Sequence, residues 1–273
     1  MEQLAVADGD VTAARAGSGR DLVILHSLLT DRHAFDPVLP QLSRRFRVTL
    51  PNLPGFHGSA PVEGGLDAYA GWVARVFDAF DIGADPVLMG NGFGGTVALA
   101  FALTHRERVG RLVLCDVAPG FPEAGKQAFR IMAASAAEGG MGAIAEIAAK
   151  RVFHTVYLAK YPAAVEERRA VLLQIDPIAF RAACMALIDA DLVADLPALA
   201  VPTLVICGEF DQATPPELNR LIATKVAGAR YTELPRCGHC PPLEQPEAFL
   251  AAIAEFLDAA TSDAGKRRPI TDG

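Results

Sequence analysis

Positive charge is the first shortage. The chain of 273 residues has 25 Lys and Arg against 32 Asp and Glu, for a net charge of −7. A chain of that balance lacks the basic surface that nucleic acid or an anionic membrane requires, so neither is expected as a partner. Long apolar runs are missing as well, and none approaches the roughly 18 residues of a membrane helix. The opening "MEQLAVADGD" has no basic segment leading into an apolar one, as a secretion signal would. Cysteine is sparse and odd in number, at five, which argues against a disulfide scaffold. Cys115 and Cys207, inside "RLVLCDV" and "TLVICGE", are expected to pack as small hydrophobes. These absences point to a cytoplasmic protein whose partner is a small-molecule substrate, and they assign no oligomeric state.

Metal and cofactor signals are equally thin. His26, His33, His57, His105 and His154 are scattered, with no ligand spacing among them. "CGHC", Cys237 to Cys240, has the C-x-x-C form of redox and zinc sites. Two prolines follow it and no second C-x-x-C lies within reach, so both readings are disfavoured. "GNGFGG" is out of register with a dinucleotide fingerprint. No metal and no cofactor are expected.

What is present is an ordinary globular composition, 51% hydrophobic and 21% charged, in alternating elements. "LAVADGDVTAAR" reads as a hairpin. "DLVILH", "RFRVTLPNL", "DPVLMG", "RLVLCDV", "VPTLVICGE" and "ARYTELP" read as buried strands. Helical spacing marks 66–80, the segment after "GNGFGG", 216–227 and 246–260. Between them lies an alanine-rich, strand-poor block with helices expected over 123–137, 141–155, 162–174 and 177–190. The fold class is therefore α/β, a mostly parallel central sheet flanked by helices, with an inserted helical lid. The expected division is a core of 1–119 and 197–261, a lid of 120–196 and a frayed tail of 262–273.

On such sheets chemistry gathers beyond the carboxyl ends of the strands. There the chain carries "HSLL", "GNGFGG", "GEFDQATPP" and "CGHCPPLEQPEAF". In that order they resemble the α/β-hydrolase family, whose pattern is a serine on a strand–elbow–helix turn, a later acid and a C-terminal histidine. The resemblance implies Asp211 as the acid, His239 as the base, and an oxyanion hole from the amides of Leu28 and Phe93. It implies esters or lactones as substrates. His26, Ser27 and His57 are candidates to line the site, with Phe129, Met132, Phe153, His154 and Tyr157 contributed by the lid.

The sequence departs from the family pattern at Gly92, which occupies the serine position and has no side chain to attack with. His26-Ser27 also stands where His-Gly is usual, and Asn52 and His57 replace a common Asp and Gly in "PNLPGFHGS". Ser27 and Asn91 are not at the elbow tip and are not expected to attack; Cys240, beside His239, is expected to point away. Three functions remain. One is an ester or lactone hydrolase whose serine has been replaced, which is the reading adopted. Another uses His239 directly as a general base on water or in lyase chemistry. The last is a pocket that binds without turnover.

Overall fold

The computed structural model describes residues 4–8 and 11–264. Eight strands form one sheet: β1 (Leu4–Asp8), β2 (Val11–Ala16), β3 (Arg20–Leu25), β4 (Phe46–Pro51), β5 (Val87–Asn91), β6 (Arg111–Cys115), β7 (Thr203–Gly208) and β8 (Arg230–Leu234). Their spatial order is β1-β2-β4-β3-β5-β6-β7-β8. The first two pairings, β1 with β2 and β2 with β4, are antiparallel, and all the others are parallel. The expected hairpin is β1–β2, although its turn, residues 9–10, lies outside the described residues.

Helices fill the connections as the periodicity requires. They are α1 (Leu39–Leu42), α2 (Leu66–Ala79), α3 (Phe93–Thr104), α4 (Glu123–Gly139), α5 (Gly142–Val152), α6 (Thr155–Lys160), α7 (Ala163–Leu172), α8 (Pro177–Asp189), α9 (Pro216–Lys225), α10 (Pro241–Glu244) and α11 (Pro246–Ala264). The middle strands β5 and β7 are buried along their whole length, so they read as continuous apolar runs rather than as alternations. Helix α3 is apolar on every side because it is buried on every side, from Phe93 to Ala102. Trp72, Tyr69 and Phe77 of α2 pack into the same core.

Helices α4 to α8 form the insertion between β6 and β7. The helix expected over 141–155 divides at Phe153, whose extended backbone ends α5. His154 then caps α6, its ring accepting from the Val156 amide. Asp176 caps α8 in the same way, accepting from the Ile178 amide at 2.7 Å. At the C-terminus α11 runs past 260 to Ala264, so the start of the expected frayed tail is helical. Its remainder, 265–273, lies outside the described residues. No single helix among those described is long and apolar enough to cross a membrane.

Candidate active site

The bend at Gly92 is dictated by crowding. Its φ of 54° and ψ of −122° turn β5 abruptly into α3. Glycine adopts such a conformation without the strain a side chain would impose. The first turn of α3 is pressed against the end of β3: Gly94 N–H donates to the His26 carbonyl at 3.1 Å, and a Cβ on Gly94 would collide with that carbonyl. Strand register does the rest. Leu25 pairs with Gly90 in the parallel β3–β5 ladder, and two residues further along each chain bring Ser27 beside Gly92.

That adjacency is closer than simple proximity. A Cβ built on Gly92 would overlap Ser27 Oγ and stand 2.7 Å from His239 Nε2. Ser27 Oγ is itself 3.2 Å from His239 Nε2. Ser27 was expected to line the site without being at the elbow tip; strand pairing places its hydroxyl where the elbow side chain would project.

Asp211 and His239 come together from the loops after β7 and β8. His239 Nδ1 donates to Asp211 Oδ2 at 2.9 Å, which leaves Nε2 to face Ser27. Asp211 is held from several sides. Its Oδ1 accepts from the amides of Ala213 and Thr214 at 2.8 and 3.1 Å, and its Oδ2 accepts from Thr214 Oγ1 at 2.6 Å. His239 is fixed through its backbone: its amide donates to Val152 of the insertion at 3.0 Å, and its carbonyl accepts from Asn91 Nδ2 at 3.0 Å. The Glu244 carboxylate receives the amides of Gly238, Cys240 and His154, tying this loop to the insertion.

Both partners are buried, and each changes the other's titration. Burial penalises the charge on His239, but the Asp211 carboxylate and its hydrogen bond outweigh that and push the pKa up to about 9. Burial likewise favours the neutral form of Asp211, and the His239 cation with the Thr214 hydrogen bonds draws its pKa down to about 2. A second carboxyl, Asp116, is fully buried behind them. Burial and the Asp211 charge raise its pKa well above the ordinary carboxylate value. It accepts from the Gly208 amide at 2.8 Å and from Cys115 Sγ at 3.2 Å. Asp116, Cys207 and Asp211 bring potential ligand atoms close together. As a metal site the set fits poorly, because burial raises the pKa of both the Cys207 thiol and Asp116, and Asp211 is committed to His239 and Thr214.

A chamber of about 40 Å³ opens over these groups, lined by Ser27, Leu28, Gly92, Phe93, Thr214 and His239. Among the described residues, neither the Leu28 nor the Phe93 amide appears in a turn or loop hydrogen bond, so both remain available as donors. Leu29, Phe121, Phe129 and Ala213 border both this chamber and a vestibule of about 370 Å³. Met132, Leu218 and Arg151 complete the outer space. Phe129 borders both spaces and Met132 the outer one. Thr214, Phe121 and Leu187 line the chamber too; of these, only Thr214 lay in a stretch singled out in the sequence, "DQATPP".

Other candidates are corrected. His26 cannot contact substrate: burial holds it neutral, with its pKa near 4, and both ring nitrogens are engaged. Nδ1 meets the Ser27 carbonyl at 2.9 Å, and Nε2 accepts from the Leu53 amide at 3.0 Å. His57 does not line the chamber; it binds Asp31 Oδ2 at 3.1 Å, and Arg168 of α7 binds Oδ1 at 3.3 Å. His154 stacks on Phe210, and Tyr157 lines a separate groove with Arg236 and Glu244, so neither reaches the chamber. Phe153 is buried in the core and lines neither space. Cys237 and Cys240 are buried free thiols, and burial raises both pKa values, which is the reverse of a reactive redox pair.

With the site in view, comparison with known proteins adds the family. Residues 22–252 match the model of the alpha/beta hydrolase family. A pimeloyl-[acyl-carrier protein] methyl ester esterase from Aromatoleum aromaticum is 32% identical, over 87% of this chain and 98% of its own. The crystal structure of an enol-lactonase from Burkholderia xenovorans superposes with a TM-score of 0.86 at 29% identity, covering 93% of this chain and 100% of that one. A thermophilic esterase from Thermogutta terrifontis gives 0.84 at 30% identity, covering 95% and 99%. The chain belongs to the alpha/beta hydrolase family and is a hydrolase.

Proposed function

We propose that this hydrolase cleaves small carboxylic esters or lactones, with His239 as general base and Asp211 as its orienting anion. The observation that carries the reading is the His239 ring itself. Its Nδ1 is bound to Asp211, and its Nε2 faces a small chamber bordered by Leu28 and Phe93. Asp211 fixes the tautomer and stabilises the imidazolium that forms when a proton is taken. The Leu28 and Phe93 amides then receive the developing oxyanion, a contribution of about 3–4 kcal/mol per donor in comparable sites.

The chamber admits little more than the carbonyl group, so the bulk of the substrate lies in the vestibule. Leu29, Phe121, Phe129, Met132 and Leu218 make that space apolar, which favours an uncharged acyl or alkyl arm. The esterase and lactonase relatives support the same substrate class. The test is a panel of p-nitrophenyl esters of increasing chain length and simple lactones, assayed with the protein and with His239→Ala. Hydrolysis that His239→Ala reduces by about 10⁴-fold or more is the expected result. Ligand binding without any product overturns the reading in favour of a binding protein.

A further inference from the structure

We infer that Ser27 is the nucleophile of this enzyme, its hydroxyl occupying the place an elbow side chain on residue 92 would fill. The inference rests on the hydrolytic reading above and names the group that attacks. Three observations converge on it. The space in front of His239 Nε2 is already filled by Ser27 Oγ, at 3.2 Å, and a Cβ on Gly92 would overlap that same oxygen. Glycine at 92 is therefore a requirement of Ser27's position.

The other hydroxyls of the chamber are committed elsewhere. Thr96 Oγ1 donates to the Ala118 carbonyl at 3.1 Å. Thr214 Oγ1 donates to Asp211 at 2.6 Å and lies on the Nδ1 side of the imidazole, 3.4 Å from that atom. Among the described residues, Ser27 Oγ has His239 Nε2 as its hydrogen-bond partner, and the side chain is 2% exposed. A buried hydroxyl held against the free nitrogen of an acid-supported imidazole is the arrangement that activates a weak nucleophile.

The oxyanion donors keep their work under this assignment. Leu28 directly follows Ser27, and Phe93 comes from the facing turn, so one amide adjoins the nucleophile and the other is supplied across the chamber. The backbone also favours the loop. The Ser27 carbonyl accepts from the Thr30 amide at 3.3 Å and from the His26 ring, which locks the residue from behind.

The steps balance without any added reagent. Ser27 Oγ forms a bond to the ester carbonyl carbon as His239 Nε2 takes the hydroxyl proton. The carbonyl π pair becomes the oxyanion. Its collapse breaks the carbon–oxygen bond to the alcohol, which leaves with the proton from His239. Water then gives a proton to His239 and adds to the acyl-Ser27 ester. A second collapse releases the carboxylic acid and returns that proton to Ser27.

The test is covalent. The protein is acid-quenched during turnover of p-nitrophenyl acetate, and separately incubated with diethyl p-nitrophenyl phosphate; both samples are peptide-mapped by mass spectrometry. Acetyl or diethylphosphoryl is expected on Ser27, and on neither count in Ser27→Ala. That variant should retain its melting temperature, keep KM within a few-fold and lose about 10³-fold or more in kcat. Ser27→Ala combined with His239→Ala should be no slower than the slower of the two single variants, since groups that act as a unit do not add. Competition with methanol provides a second readout. The ratio of methyl acetate to acetate should be the same from phenyl and p-nitrophenyl acetate, because both pass through one acyl-Ser27. An unmodified Ser27, a ratio that follows the leaving group, or undiminished turnover in Ser27→Ala overturns the inference and leaves His239 acting on water. If Ser27 takes the phosphoryl group while no ester or lactone is hydrolysed, the hydrolytic reading fails and the nucleophile stands.

Discussion

Asp211 and the His239 loop are held by hydrogen bonds from many directions, whereas the Ser27 side chain makes one, to His239, and otherwise occupies the room that Gly92 leaves. On the acid–base side, Asp211 accepts from two amides, a hydroxyl and an imidazole, and the His239 loop is tied to Asn91, Val152 and Glu244. On the hydroxyl side there is one polar contact to the base, and what defines the position is an absent side chain at residue 92. Directional bonds specify the first half and steric exclusion specifies the second. The two halves should consequently respond differently to small changes of shape.

The largest effect belongs to the acid–base half. His239→Ala should lower kcat by about 10⁴- to 10⁶-fold, and Asp211→Asn by about 10⁴-fold, in a steady-state ester assay. Next comes a change that removes no chemical group at all. Gly92→Ala adds one methyl where Ser27 Oγ lies, and displacing the hydroxyl should lower kcat by about 10²-fold with KM nearly unchanged. Exchanging the two residues, Ser27→Gly with Gly92→Ser, should recover most of the turnover that Gly92→Ser alone loses. Equal tolerance of Gly92→Ala and a surface Gly→Ala control would erase the contrast between the two halves.

Thr214→Val sharpens the comparison from the other side. It removes a 2.6 Å bond to a buried carboxylate, worth about 1.5–3 kcal/mol, and should slow turnover about tenfold while moving the pH profile. The mildest perturbation is pH. His239 must lose its proton to act as a base, so kcat/KM should climb as pH passes from 6.5 towards about 9. Folding stability runs the opposite way. A histidine whose pKa rises from 6.5 to about 9 on folding contributes stability that is complete below 6.5 and is lost as pH rises through about 9. Asp211, lowered from 3.8 to about 2, contributes stability present above 3.8 and lost as pH falls through about 2. Urea midpoints measured beside kcat/KM across this range should therefore diverge above neutral pH.

The acid–base half was legible in the chain because each member follows a recognisable strand, "TLVIC" before Asp211 and "TELP" before His239. Alternating apolar strands and helices likewise announced the parallel sheet. Ser27 was visible as a residue and invisible as a partner of Gly92. Their adjacency depends on β3 and β5 being neighbours with Leu25 opposite Gly90, a pairing that no local pattern encodes. His26 misled for a related reason: its ring looked free in sequence and is consumed by the Leu53 amide of the next loop. His154 was misplaced because the helix expected over 141–155 breaks at Phe153, and Tyr157 falls on the short helix α6 that follows the break, away from the chamber.

The buried carboxylate of Asp31 ends the short loop that begins at Ser27. His57 and Arg168 grip it, and burial, which favours the neutral acid, is overcome by them so that its pKa falls well below the ordinary value. Arg168 belongs to α7 of the insertion, so the loop bearing the hydroxyl has one end on the sheet and the other tied to a helix of the insertion. A nucleophile seated on the elbow would be carried by β5 and would lack that link to the insertion. Here α7 and the Ser27 loop share a tether through Asp31, so the way the insertion packs on the core bears on where that hydroxyl sits.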